Sequence, residues 1–227
     1  MPRGRQEERW RLPRGRHGLP PEVVSRSQRE RLLAATMRIV AAKGYAATRV
    51  TDLTEEAGIS RTTFYELFAD KEACFLAAYD NAVDGLVRRI SAAYEAERRW
   101  PDRIRAGLAT LLEALAEDPA QARLGLVDVA AAGPAAQRRF RAAVQRLMPF
   151  FDEGRDFAPG GRNLPANASR MAAGAVVGLI SDELVAGRAE ELPSLLSDLL
   201  FATLIGYLGP DAAAREVGEE ASKQLRT

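Results

Sequence analysis

From Ser27 onward, no segment of this chain sustains the alternation of apolar and polar residues that a half-buried strand needs. Apolar positions recur at helical spacing instead, and clusters of proline and glycine cut the stretch into pieces. That pattern predicts an all-α fold. Leu33, Met37, Val40 and Ala41 share one face of a first helix that Gly44 can end. Thr48 opens a short helix, Arg49 to Ala57, with Val50 and Leu53 inward, and Gly58 ends it. Ser60 caps the next helix, which stops near Phe68, and Asp70 caps another from Lys71 to about Arg98. Further helices are expected at Asp102–Glu117, Ala120–Ala131, Pro134–Glu153, Asn163–Ala186 and Leu192–Leu208. The charged tail after Pro210 is expected to fray. The predicted organisation is a basic arm (1–25), a helix-turn-helix domain (26–70), a helical domain (71–210) and a flexible tail (211–227).

Composition narrows the functional classes. The 227 residues are 47% hydrophobic, enough for one large or two small domains. Net charge is only +1, so bulk charge says nothing about nucleic acid. Its distribution does: Met1–Arg16 holds six arginines and two glutamates, a local charge of +4. The one cysteine, Cys74, rules out an intramolecular disulfide and fits a reducing cytoplasm. No apolar stretch of about 18 residues lacks charge, so no membrane span is expected, and no apolar region follows the basic N-terminus as in a secretory signal. One cysteine and one histidine, His17 in the arm, supply neither a metal cluster nor a nucleophile–base pair. The chain is not expected to be an enzyme, to bind a metal or to need a cofactor.

The strongest local signal is the pair of short helices joined at Gly58. A helix that enters the major groove must be short and exposed on one face, with a preceding helix to brace it and a turn free of side-chain clash. Val50, Leu53, Ala57, Ile59, Phe64 and Leu67 supply a small core. Arg61, Thr62, Thr63, Tyr65 and Glu66 remain on or near the outer face. Arginine can pair with guanine, and threonine offers a hydroxyl and a methyl to thymine. Tyr65 and Lys71 suit phosphates. The stretch from Gly44 through Leu53, then Ala57 through Glu72 (AGISRTTFYELFADKE), resembles the DNA-binding signature of the TetR/AcrR family of transcriptional regulators. The resemblance covers about residues 27–80. It implies a homodimer with two reading heads and a C-terminal ligand-binding domain. It further implies that Tyr45 and Thr48 approach the DNA backbone, that Tyr65 and Lys71 hold phosphates, and that Arg61–Thr63 meet base edges.

The arm repeats a tetrapeptide, Pro2-Arg3-Gly4-Arg5 and Pro13-Arg14-Gly15-Arg16. Arginine–glycine–arginine beside proline is narrow and extended. Arg14 and Arg16 are therefore candidates for the minor groove of A·T tracts, against the plainer role of a tail that adds non-specific attraction.

In the helical remainder, Met148-Pro149-Phe150-Phe151 joins a flexible thioether, a kink and two aromatics. With Phe75, Tyr79, Leu86, Leu108, Leu112, Leu126, Met171 and Val177 it could wall a pocket for a small hydrophobic effector. Gly174 and Gly178 lie four apart on one helix face. Leu196, Leu199, Leu200, Thr203 and Tyr207 give the last helix more apolar surface than one face needs. The resemblance places a dimer interface in these two helices. The function expected is a cytoplasmic, ligand-responsive repressor that binds double-stranded DNA as a homodimer. An activator or architectural factor using the arm in the minor groove is the alternative.

Overall fold

The computed structural model describes residues 20–159 and 161–224, and among them regular structure is helical throughout. The chain divides after Tyr79 into two compact units.

The first unit holds α1 (Pro21–Lys43), α2 (Val50–Ala57), α3 (Arg61–Leu67) and the opening turns of α4 (Lys71–Ala96). Proline suits the start of α1, where its missing N–H has no helical partner to lose. Residues 21–25, expected in the arm, are therefore helical. The repeat itself, with Arg14 and Arg16, lies outside the described residues. The core joins Leu32, Leu33, Met37 and Val40 to Leu53, Ala57, Phe64 and Phe68. Cys74, Phe75, Ala78 and Tyr79 complete it, which is why the boundary falls inside α4 and not at residue 70. Thr36 is buried at no polar cost: its hydroxyl donates to Leu32 O at 2.8 Å and lies 3.2 Å from Cys74 Sγ.

The second unit takes α4 from Asp80, then α5 (Trp100–Glu117), α6 (Pro119–Leu126), α7 (Pro134–Asp152), α8 (Gly154–Phe157), α9 (Ala168–Val185), α10 (Leu196–Leu208) and α11 (Pro210–Gln224). Short 3-10 turns lie at Asp128–Ala132, Gly161–Asn163 and Ala189–Leu195. α5 is the spine. Trp100, Ile104, Leu108, Leu112 and Leu115 recur at three- and four-residue spacing and are all buried. Fully burying such side chains contributes about 1.5–3 kcal/mol each. α9 adds Ala172, Ala173, Val176, Ile180 and Leu184, and α10 adds Leu199, Leu200, Leu204 and Tyr207.

Several boundaries differ from the sequence reading, and the helix expected at Ala120–Ala131 ends at Leu126, before the 3-10 turn. Pro165 delays α9 to Ala168, because the residue before proline avoids helical angles. The helix expected from Leu192 is tightened around Pro193 into a 3-10 turn as far as Leu195. The tail expected to fray is α11. Ala213 is fully buried there, and Glu216 holds Arg99 at 2.6 Å and accepts from Arg105 through its backbone carbonyl at 2.7 Å. Ala189–Leu208 is apolar and long enough to cross a membrane, with a mean hydropathy of 1.3, contrary to the sequence expectation. Its Leu192, Leu199, Leu200, Leu204 and Tyr207 are instead buried in the core of this unit.

Candidate nucleic-acid interface and apolar cavity

Gly58 turns the chain between α2 and α3 in the left-handed conformation, φ 63° and ψ 44°, where a Cβ would be strained. Its N–H donates to Glu55 O at 3.2 Å, and Ile59 N donates to Thr54 O at 3.0 Å, closing the end of α2. Ser60 Oγ then accepts from Thr63 N at 3.0 Å and starts α3. Phe64 is fully buried beneath α3, with Tyr65 edge-on at 5.2 Å and Phe68 at 6.2 Å. Arg61, Thr62, Tyr65 and Glu66 are exposed, Tyr65 at 51%. A seven-residue helix thus presents a cation, a hydroxyl and a phenol outward while one ring fixes it from below.

Several expected contacts take other forms. Thr63 is half-buried and its hydroxyl lies 2.9 Å from Ser60 Oγ, so it belongs first to the cap. Thr48 is corrected as a free backbone contact: it is 2% exposed and its hydroxyl donates inward to Gly44 O at 2.8 Å. Lys71 is not a free cation. Its ammonium donates to Tyr45 O and Thr48 O, both at 2.9 Å, and sits 4.3 Å above the Tyr45 ring. This leaves one N–H for an outside anion. Tyr45 is half-buried against Phe75, rings 5.0 Å apart; burial, then the Glu72 and Asp70 carboxylates, push its phenol up, so it stays a donor. Asp70 caps α4 as expected, accepting from Ala73 N at 2.7 Å.

The sequence reading passed over Arg31. Its Nε is buried with no hydrogen-bond partner among the described residues, and its guanidinium lies 3.7 Å from where a Cβ on Gly58 would be. The only signal was one more arginine on an already basic helix.

The second unit holds a cavity of about 70 Å3 between α4, α5, α7 and α9. Leu108, Met148, Phe151 and Val177 line it as expected, joined by Ile90, Tyr94, Ile104, Val144, Leu147 and Val176. The nearby polar atoms are used elsewhere. The one Tyr94 OH proton is shared between Glu153 Oε2 at 2.8 Å and Phe150 O at 3.2 Å, and Trp100 Nε1 donates to the same Phe150 O at 2.8 Å. Burial first, then Glu153, holds the Tyr94 phenol far above its usual range. The lining therefore suits an apolar occupant. Ligand pockets commonly measure about 300–1,000 Å3, so any drug-sized ligand must widen this one.

Seven expected lining residues do not line the cavity, among them Leu86, half-buried on α4, and Pro149, exposed on α7. Phe75 and Tyr79 are core residues of the first unit. Leu112 is fully buried within α5, and Leu126 packs on the core from outside. Met171 is 69% exposed on α9. The expected interface is corrected too: Leu199, Leu200, Thr203 and Tyr207 are buried in their own unit, and Leu196 is packed against that core. Gly174 and Gly178 are exposed, and a Cβ on either would meet nothing within 4 Å. They share an open face of α9 with Met171, Ala175 and Val185.

Residues 32–78 match the bacterial regulatory proteins of the tetR family. The HTH-type transcriptional regulator EthR of Mycolicibacterium smegmatis is 35% identical over 116 residues, 51% of this chain and 52% of that one. The chain thus spans about half the length of that relative. Among solved structures, the fatty acid degradation regulator FadR of Bacillus halodurans superposes with a TM-score of 0.70 at 15% identity, covering 83% of this chain and 97% of its own. FadR of Bacillus subtilis, in complex with stearoyl-CoA, gives 0.66 at 15% identity, covering 79% and 98%. At such identity the likeness is one of fold. Residues 32–78 are thus similar to the N-terminal domain of the tetR family of bacterial regulatory proteins, and the chain shares the fold of its solved members.

Proposed function

We propose that the chain is a transcriptional repressor that binds operator DNA as a homodimer and leaves it when a small hydrophobic effector fills the cavity of the second unit. The observation that carries this reading is the capped helix α3, braced from below by Phe64 and exposing Arg61, Thr62 and Tyr65. Arg61 and Thr62 read base edges, with Thr63 contributing its methyl. Tyr65 and the remaining N–H of Lys71 hold phosphates, and Tyr45 approaches the same backbone. Arg14 and Arg16 add a minor-groove contact at A·T-rich flanks. The protein works in the cytoplasm, where the DNA is.

Dimerisation uses the open face of α9. Met171 and Val185 are 69% and 59% exposed, with Gly174, Ala175 and Gly178 between them, and exposed Ile205 and Gly206 lie on α10. Small residues between two large apolar ones let a second copy approach closely. Two heads on one dimer would meet successive major grooves about 34–36 Å apart. The effector would favour the form that does not fit this spacing. Stearoyl-CoA in Bacillus subtilis FadR makes long acyl chains the first effectors to try.

Selection from random duplexes, followed by mobility-shift titration at fixed salt, tests the reading. A palindromic site is expected, with affinity weakened by an acyl ligand. A Met171→Asp, Val185→Asp variant should sediment as a monomer and lose the site. An enriched site far from promoters, unaffected by ligand, would favour the architectural alternative.

A further inference from the structure

The cavity, at about 70 Å3, is smaller than a ligand, so some wall must move, and its walls are unequal. On α5 and α9 five of the seven lining residues, Ile104, Gly107, Leu108, Ala173 and Val176, are buried, with Leu111 and Val177 half-buried. On α7 four of the five lining residues, Val144, Leu147, Met148 and Phe150, are only half-buried, and Phe151 alone is buried. The outer wall is therefore α7, with the Asp128–Ala132 turn that packs against it.

The two ends of α7 are held differently. Near its C-terminus the Phe150 carbonyl accepts from both Tyr94 and Trp100, and the Phe150 ring stacks on Tyr94 at 4.4 Å. Arg103 adds an ion pair to Glu153 at 2.8 Å. Further back, the ties to α4 are Arg139 to Asp80 at 2.9 Å and Arg146 to Asp84 at 2.6 Å, and all four side chains are about half exposed. Exposed pairs of this kind are weak and screened by salt. Between the two regimes stands Pro149, inside the helix and without an N–H for the turn before it. Gly133, at φ +103°, precedes α7.

We propose that α7 is a lid, anchored at Phe150 and latched to α4 by Asp80–Arg139 and Asp84–Arg146, and that apolar ligands reach the cavity by parting α7 from α4. This rests on reading the cavity as the effector site. The latch makes ligand access a matter of two exposed charge pairs, so salt and a reversal of sign should control it while the anchor stays in place.

The test uses the full chain and N-phenyl-1-naphthylamine, an uncharged apolar dye larger than the cavity. Arg139→Glu with Arg146→Glu should raise dye affinity about three- to tenfold, the scale of two exposed pairs. Adding Asp80→Arg and Asp84→Arg should restore the original affinity. Amide exchange across residues 136–146 should quicken in the first variant and return in the second, without dye. Unchanged dye affinity in the first variant, or no restoration in the second, overturns the lid, as does failure of every variant to take up dye. Leu108→Trp should block uptake in all backgrounds. Dye binding that survives it overturns the cavity reading, and a blocked cavity with an inert latch overturns the lid alone.

Discussion

The loops of the first unit are closed by side chains that reach back to named backbone groups: Thr48 to Gly44, Lys71 to Tyr45 and Thr48, Ser60 to Thr63, Asp70 to Ala73. The second unit is held mainly by apolar side chains along α5, α9 and α10, and it keeps a cavity, a half-buried wall and an unpaired helix face. Hydrogen-bonded closure fixes one geometry, as a reading head needs. Apolar attraction is non-directional and does not by itself fix one arrangement, which suits the ligand-responsive body proposed above.

The largest expected effect falls on the head. Phe64→Ala should cost about 3–5 kcal/mol by leaving a cavity under α3. Amide exchange resolved by unit should show residues 32–78 opening while α5 keeps its protection. Equal loss in both units would break the contrast. Gly154→Ala attacks the body by overpacking. A Cβ there would overlap Trp100 Cζ2 and stand 2.7 Å from Tyr207 Cδ1, so a loss of about 1–3 kcal/mol is expected in denaturant titration followed by tryptophan emission. Lys71→Met should lower head stability by about 2 kcal/mol through two charge-assisted bonds. If stability holds and only DNA affinity falls, its main partner is phosphate and not the loop. Arg61→Ala should change discrimination between the preferred and substituted base by about 1–3 kcal/mol, measured as competing affinities at one salt concentration. Smallest of all, Arg38→Ala removes an exposed pair with Glu56 and should shift stability by less than about 1 kcal/mol.

The same contrast explains what could be read from the residues. Ser60, Gly58 and Asp70 act on backbone atoms within four positions of themselves, so their roles are written locally. Arg61, Thr62 and Tyr65 fall outside because Phe64 falls inside, and the spacing alone says so. The body offers no such short-range rule. Met171 and Met148 look alike in the sequence, yet one is exposed on α9 and the other lines the cavity. Leu199 and Leu200 seem too many for one face until Ala213 of α11, in a segment that reads as a charged tail, joins the core beside them. Which side of an alanine- and leucine-rich helix turns inward is settled by partners a hundred residues away. Lys71 is the exception in the head, because its partners lie 26 and 23 positions back.

Cys74 has a practical consequence. It is the chain's one cysteine, buried, and its thiol is pushed up by burial, against the opposing pull of the Thr36 bond and the Arg29 charge. An alkylating reagent can reach it only when the packing between α1 and α4 opens. The rate at which the chain gains one reagent mass is therefore a clock for that opening, with no label introduced. Run with and without DNA, it measures how firmly the duplex holds the helix-turn-helix shut.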